Sequence, residues 1–280
     1  MPHHREVPIV FAAIAPHGGI AVAESLPPDQ HAIAAKTRAG MEELGRRFDA
    51  ARPEATILLT PHHVHVEGAL AVIVSSALDG AIGEDSHRVA LRVPVDRALA
   101  LAALTAIHDA GIPAVGVSFG GNDASQAVAP MDWGTLIPLW FMGGRREPPL
   151  PTVVVAPARD LPDEAHIQAG RAIALAAALS GRRVALIASC DHGHAHDPNG
   201  PYGYSPKAKE FDERVVDLVR RDRLADLVAI DREMLDQAKV DSYWQMLMLH
   251  GALGERWRGE LLSYEAPTYF GMLCAAYVPR

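Results

Sequence analysis

The chain has 280 residues, 49% hydrophobic and 21% charged, and 26 Lys and Arg against 34 Asp and Glu give a formal net charge of −8. Such a chain has enough apolar surface to offset its ordering entropy, and an acidic balance without a basic block excludes a surface that tracks nucleic-acid phosphates. The longest apolar stretches, such as Ile173–Leu179, fall short of the ~20 residues that span a bilayer, Met1–Pro8 lacks a secretory apolar segment, and Cys190 and Cys274 cannot build a disulfide framework, so a cytoplasmic protein with no membrane partner is expected.

Pro8–Ala15 is a nearly all-apolar run that predicts a strand buried on both faces, and it ends in Pro16-His17-Gly18-Gly19. Across Pro28–Ala51, Met41, Leu44 and Phe48 recur at helical spacing among charged residues, predicting a helix with one buried stripe. Ala55–Thr60 predicts another buried strand, stopped by Pro61 and followed at once by His62, His63 and His65. Strands are expected at Ala69–Ser75, Val89–Val93 and Ala114–Ser118, with a helix at Asp96–Ala110. Thr152–Ala156 reads as a strand and Asp163–Leu179 as an alanine-rich helix. Val184–Ser189 reads as a strand that delivers Cys190-Asp191-His192-Gly193-His194-Ala195-His196. Helices at Ser205–Arg220 and Ser242–Leu253 and strands at Glu260–Tyr264 and Met272–Val278 close the chain.

No repeat or Ser/Gly-rich linker interrupts this alternation. The expected architecture is therefore a single α/β domain over residues 1–280, a central mixed sheet flanked by helices with its active site at strand carboxyl ends. Histidines stand just past three of those ends. Two imidazoles and a carboxylate leave open positions on iron for substrate and dioxygen, and His17, one of His62, His63 and His65, and a later acid would make such a set. The bland alternative is polar loop histidines, with His192, His194 and His196 merely solvated on one face of an extended stretch. HExxH, paired CxxC, GxGxxG, Walker and GxSxG patterns are absent, which argues against common zinc proteases, nucleotide enzymes and serine hydrolases. Cys190 reads as a small buried residue rather than a nucleophile.

Five segments together resemble the class III extradiol ring-cleavage dioxygenases. They are the Pro-His-Gly turn after the first strand, Thr60-Pro-His62, Met131–Pro138, Ser189–His194 and Met246–Leu253, so the resemblance extends from about His17 to Leu253. It implies a mononuclear non-haem Fe(II) ion that binds a catechol-type or aminophenol-type substrate and O2, with both oxygen atoms retained in the ring-opened product. It also implies His17 as the first ligand and His194 as the acid/base. His62 fits the Ser/Thr-x-His form of the second ligand and is preferred to His63. The family's glutamate falls on Ser242, which has no carboxylate, so Asp241 is assigned as third ligand ahead of Glu233; the competing role for Asp241 is a helix N-cap. Where many relatives have Asp-His-Gly this chain has Asp132-Trp133-Gly134. Trp133 either stacks on the substrate ring or fills core, and the Pro201-Tyr202-Gly203-Tyr204 segment is expected to form a cleft wall with Tyr204 toward the substrate, or else to anchor a loop. A homodimer is the default assembly, with a small accessory subunit over the cleft as a further option. The competing functions are a zinc hydrolase on the same residues and a non-catalytic Memo-like interaction protein.

Overall fold

The computed structural model describes residues 9–280, so Pro8 and the Met1–Pro8 segment lie outside the described residues. Apolar runs too short for helices supply the buried strands: β1 (Ile9–Ala15), β2 (Ala55–Leu59), β8 (Thr152–Ala156) and β9 (Val184–Ser189). With β3 (Leu70–Ile73), β6 (Ala114–Val117), β10 (Trp257–Glu265) and β11 (Met272–Pro279) they form an eight-stranded mixed sheet in the order β10-β11-β1-β9-β2-β8-β3-β6. Its centre, β1-β9-β2-β8, is wholly parallel, with Ala15 opposite Ser189 and Leu59 opposite Ala188. β11 runs antiparallel to β1, and β3 antiparallel to β8.

Helix α1 (Ala35–Ala51) packs on β1, β10 and β11 and against α3 (Trp133–Phe141). Helix α4 (Asp163–Leu179) packs between α2 (Arg97–Asp109) and α7 (Tyr243–Leu253). Strands β1 and β9 meet helices from both groups, which explains their complete or near-complete burial. Helices α5 (Pro206–Arg220) and α6 (Arg232–Ala238) pack on each other near β10. The α4–α7 crossing depends on Gly170 and Gly251: a Cβ at either would lie 1.9 Å from a backbone oxygen of the other helix. This close approach sets the position of the chain entering α7, which carries Asp241.

The helix expected over Pro28–Ala51 begins only at Ala35. Pro28–Gln30 form a 3-10 turn, and the Arg38 guanidinium binds the carbonyls of Ile20, Ala21 and His31, tying this irregular segment to the first helical turn. A three-stranded sheet of β5 (Val89–Pro94), β4 (Ala77–Ile82) and β7 (Val128–Pro130), in that order, was only partly foreshadowed, because Asp79 and Gly80 interrupt the apolar pattern of β4. No helix among the described residues is long and apolar enough to cross a membrane.

Candidate metal centre

Because β1, β9 and β2 are adjacent and parallel, their carboxyl ends open at one edge of the sheet. They deliver His17, the Asp191–His196 turn and His62 to one place. Asp241 enters from the segment between α6 and α7, where Lys239 ends α6 with a left-handed backbone (φ 55°). His17 Nε2 lies 3.0 Å from His62 Nε2 and 3.3 Å from Asp241 Oδ2, and His62 Nε2 lies 3.1 Å from that oxygen.

These donor atoms all lie within 4.8 Å of one another. Two ligand atoms held about 2.1 Å from one ion at near right angles stand about 3 Å apart, so the spacing suits a single first-row metal ion. The donor set fits in a second respect. Asp241 Oδ1 is buried and has no hydrogen-bond partner among the described residues, an expense that ion binding by this carboxylate would offset.

Hydrogen bonds orient the imidazoles. The Ser189 hydroxyl donates to the Gly134 carbonyl at 2.6 Å, so its oxygen accepts from His17 Nδ1 at 2.9 Å and turns His17 Nε2 toward Asp241. His194 Nδ1 donates to the His192 carbonyl at 2.8 Å, which leaves the Nε2 lone pair of the neutral ring 3.8 Å from Asp241 Oδ2. The turn carrying His194 is itself held by buried Asp212, which accepts from the Gly193 N–H, His196 Nε2 and the Tyr264 hydroxyl.

Burial alone would push the His17 imidazole down, but the Asp191 and Asp241 carboxylates outweigh it and raise it to about 9. Burial likewise opposes the Asp241 charge, yet His17 and the hydrogen bonds from His17 and His62 hold its carboxyl well below the usual range. Asp191 goes the other way: burial, reinforced by the Asp241 charge, pushes it up. The two acids beside His17 therefore differ in character, one a persistent anion and the other easily protonated.

His62, not His63, enters the cluster; both ring nitrogens of His63 are buried without partners among the described residues. The Ser242 hydroxyl meets His192 Nδ1 at 3.0 Å, and Glu233 lies on the cavity wall outside the cluster. Asp241 makes no capping bond: Ser242 holds the N-cap position of α7. Trp133 is 51% exposed, so it does not fill core, and its ring centre lies 4.6 Å from that of His62. Tyr204 is not brought to the cleft. It is 64% exposed and absent from the cavity lining, whereas Tyr202 lines the cavity and packs edge-on to His194 at 5.7 Å between ring centres. Phe270 stacks on His194 at 5.6 Å. The sequence assigns no role to Ser189, Asp191 or Asp212, although Ser189 and Asp191 lie inside the Ser189–His194 motif, whereas Tyr202 belongs to the Pro201–Tyr204 segment expected in the cleft wall.

A cavity of about 680 Å³ opens on this cluster, lined by His62, His194 and Asp241 together with Arg159, Tyr202 and Trp244. A family model described as the catalytic LigB subunit of aromatic ring-opening dioxygenase matches residues 11–273. A curated relative, protein CA_C1420 of Clostridium acetobutylicum, is 22% identical over 253 residues, covering 89% of this chain and 53% of its own. The chain thus spans about half the length of that relative. The crystal structure of an uncharacterized protein, JW3007 from Escherichia coli K12, has a TM-score of 0.61 at 18% identity and covers 95% of this chain and 98% of its own, a likeness of fold.

Proposed function

The chain belongs to the family of the catalytic LigB subunit of aromatic ring-opening dioxygenases, and from that membership we propose that it opens the ring of a catechol-type or aminophenol-type substrate with dioxygen at a non-haem Fe(II) ion. The observation that carries this reading is the convergence of His17, His62 and Asp241 beneath a cavity that His194 also lines. His17, His62 and Asp241 would hold the ion. When bound by two imidazoles and one carboxylate, Fe(II) supplies Lewis acidity toward the phenolic oxygens and open positions for substrate and dioxygen.

The protein's own groups do the rest. His194 Nε2, left free by the bond from Nδ1 to the His192 carbonyl, accepts the proton of a substrate hydroxyl and later returns it to a departing oxygen. Tyr202 on the His194 side lines the cavity and narrows the space open to water beside a flat ring, while Trp133, outside that lining, packs against His62. Phe270, stacked on His194, keeps that imidazole from swinging away from Asp241.

The test is anaerobic loading with Fe(II), addition of a panel of catechols and aminophenols, and admission of oxygen. One O2 consumed per substrate, with the visible absorbance of a ring-opened semialdehyde, is the expected result. Iron-loaded protein that takes up no oxygen with any member of the panel would overturn the reading.

A further inference from the structure

We infer that Asp212 is a positioning residue for His194: from outside the cavity it fixes the peptide that carries the acid/base imidazole, so that turnover, rather than metal or substrate binding, depends on it. The catalytic half of this inference rests on the ring-opening reading. Asp212 lies on α5, is 1% exposed and takes no part in lining the cavity over the metal cluster. Its Oδ1 accepts the Gly193 N–H at 2.8 Å, while Oδ2 accepts His196 Nε2 at 2.8 Å and the Tyr264 hydroxyl at 2.7 Å. A buried carboxylate is tolerated when its lone pairs are filled, and here the turn fills two of them and β10 a third.

The backbone around His194 is otherwise anchored by backbone. The His192 N–H donates to the Gly271 carbonyl at 2.8 Å, the Gly271 N–H to the Gly193 carbonyl at 3.0 Å, and the His194 N–H to the Ala238 carbonyl at 2.8 Å. Among the described residues Asp212 supplies the side-chain bond to this stretch, and it holds the amide immediately ahead of His194. Close packing leaves the turn little slack. A Cβ at Gly193 would stand 2.8 Å from Ala208 Cα and 2.9 Å from its carbonyl oxygen, in the first turn of α5, and a Cβ at Gly271 would collide with Asp212 Oδ2. Helix α5 and Gly271 thus grip the turn from two sides, and any movement of Asp212 passes through Gly193 to His194. Tyr264 fixes the rotation of the carboxylate from the sheet.

A catalytic group displaced by ~1 Å loses about 100-fold in rate, and the groups that converge on the metal are held by other bonds. Loss of the Asp212 anchor therefore separates turnover from binding.

The experiment compares Asp212→Ala with Asp212→Asn, which keeps an oxygen for the Gly193 N–H, using Fe(II)-loaded protein and the best substrate of the catechol and aminophenol panel. In Asp212→Ala kcat is expected to fall about 10- to 100-fold, with iron content and anaerobic substrate Kd unchanged, and Asp212→Asn is expected to recover most of the rate. Asp96→Ala is the stability control: it deletes a buried carboxylate that caps α2 and pairs with Arg182 at the amino end of β8, away from the cluster, and should lower Tm without lowering kcat. A kcat in Asp212→Ala equal to that of wild type or of Asp96→Ala, or a kcat in Asp212→Asn as low as in Asp212→Ala, overturns the inference. If Asp212→Ala does not fold, Asp212→Ser, whose hydroxyl stops one bond short of the Gly193 N–H, takes its place. A second arm needs no turnover. In metal-free protein with ring-labelled histidines, the His194 signal, identified by its absence from His194→Phe, should be single and sharp in wild type and Asp212→Asn and broadened or split in Asp212→Ala. If no member of the panel is turned over by wild type, the ring-opening reading falls and this arm decides: a His194 signal that Asp212→Ala leaves unchanged removes the positioning role, and a broadened or split one upholds it.

Discussion

Ser189 accepts a hydrogen bond from Nδ1 of His17 at 2.9 Å, and its own hydroxyl is committed to the Gly134 carbonyl. This relay fixes both the rotation and the tautomer of His17, because a hydroxyl whose one hydrogen is already donated can only accept from the ring. Ser189→Ala removes the partner and frees the imidazole to rotate or to present a protonated Nε2. The expected outcome is a metal affinity about 10- to 100-fold weaker, measured by competition with a chelator, for a stability loss of only about 1 kcal/mol. Unchanged affinity would mean that packing alone orients His17.

The assigned roles separate cleanly by mutation. His17→Ala and Asp241→Ala each delete a converging donor and should lower iron content by about tenfold or more, while Ser242→Ala, whose hydroxyl meets His192, should retain the metal. His194→Phe should keep the iron and abolish turnover, because Nε2 of His194 stands 3.8 Å from Asp241 Oδ2, outside the three-residue cluster. Metal analysis beside oxygen uptake reads both. Iron content equal to wild type in His17→Ala would contradict the ligand set.

How much of this was legible in the sequence depended on whether a residue's place follows from its own segment. Asp163–Leu179 and Val184–Ser189 match the expected elements end to end, since one is a long alanine-rich amphipathic stretch and the other a short apolar run. Helix α3 was not read as a helix because it is apolar throughout and contains Pro138, so no stripe marks it. His17 and His62 were visible as strand-end residues. The position of Asp241 is different: it depends on how closely α4 and α7 cross, which no local pattern records. Within the expected Pro201–Tyr204 wall it is Tyr202 and not Tyr204 that lines the cavity, the chain turning between them at Gly203, φ 70°.

The His17 imidazole gives a pH signature. Its value in the metal-free fold, about 9, lies above the ordinary 6.5 because Asp191 and Asp241 outweigh burial. A group raised on folding contributes stability that is fully present below about 6.5 and is lost as pH rises through about 9. Metal must displace that proton, so ion binding also strengthens over the same interval. The gap in Tm between Fe(II)-loaded and chelator-treated protein under anaerobic conditions is therefore expected to widen between pH 6.5 and 9. Calorimetry at pH 7 in buffers of different ionisation enthalpy should show release of about one proton per ion bound. A constant gap and no proton release would place His17 among the neutral imidazoles.

Gly134 tests whether the start of α3 is part of the candidate metal centre. A Cβ there would stand 2.5 Å from Thr60 Oγ1, 2.9 Å from Asp132 Oδ1 and 3.1 Å from His62 Cδ2. Thr60 Oγ1 accepts the backbone N–H of His62, Asp132 caps α3, and the Gly134 carbonyl takes the Ser189 hydroxyl, so any retreat of the helix disturbs His62 and, through Ser189, His17 together. Gly134→Ala is expected to cost about 1–3 kcal/mol, as overpacking does, and to weaken metal binding by more than that loss of stability explains. Gly19→Ala is the matched control, close to His17 in sequence but with nothing within 4 Å of an added Cβ. Denaturant unfolding and chelator competition on the two variants separate general loosening from a local effect. If Gly134→Ala lost stability yet bound metal as tightly as Gly19→Ala, the contacts of α3 with His62 and Ser189 would be packing alone.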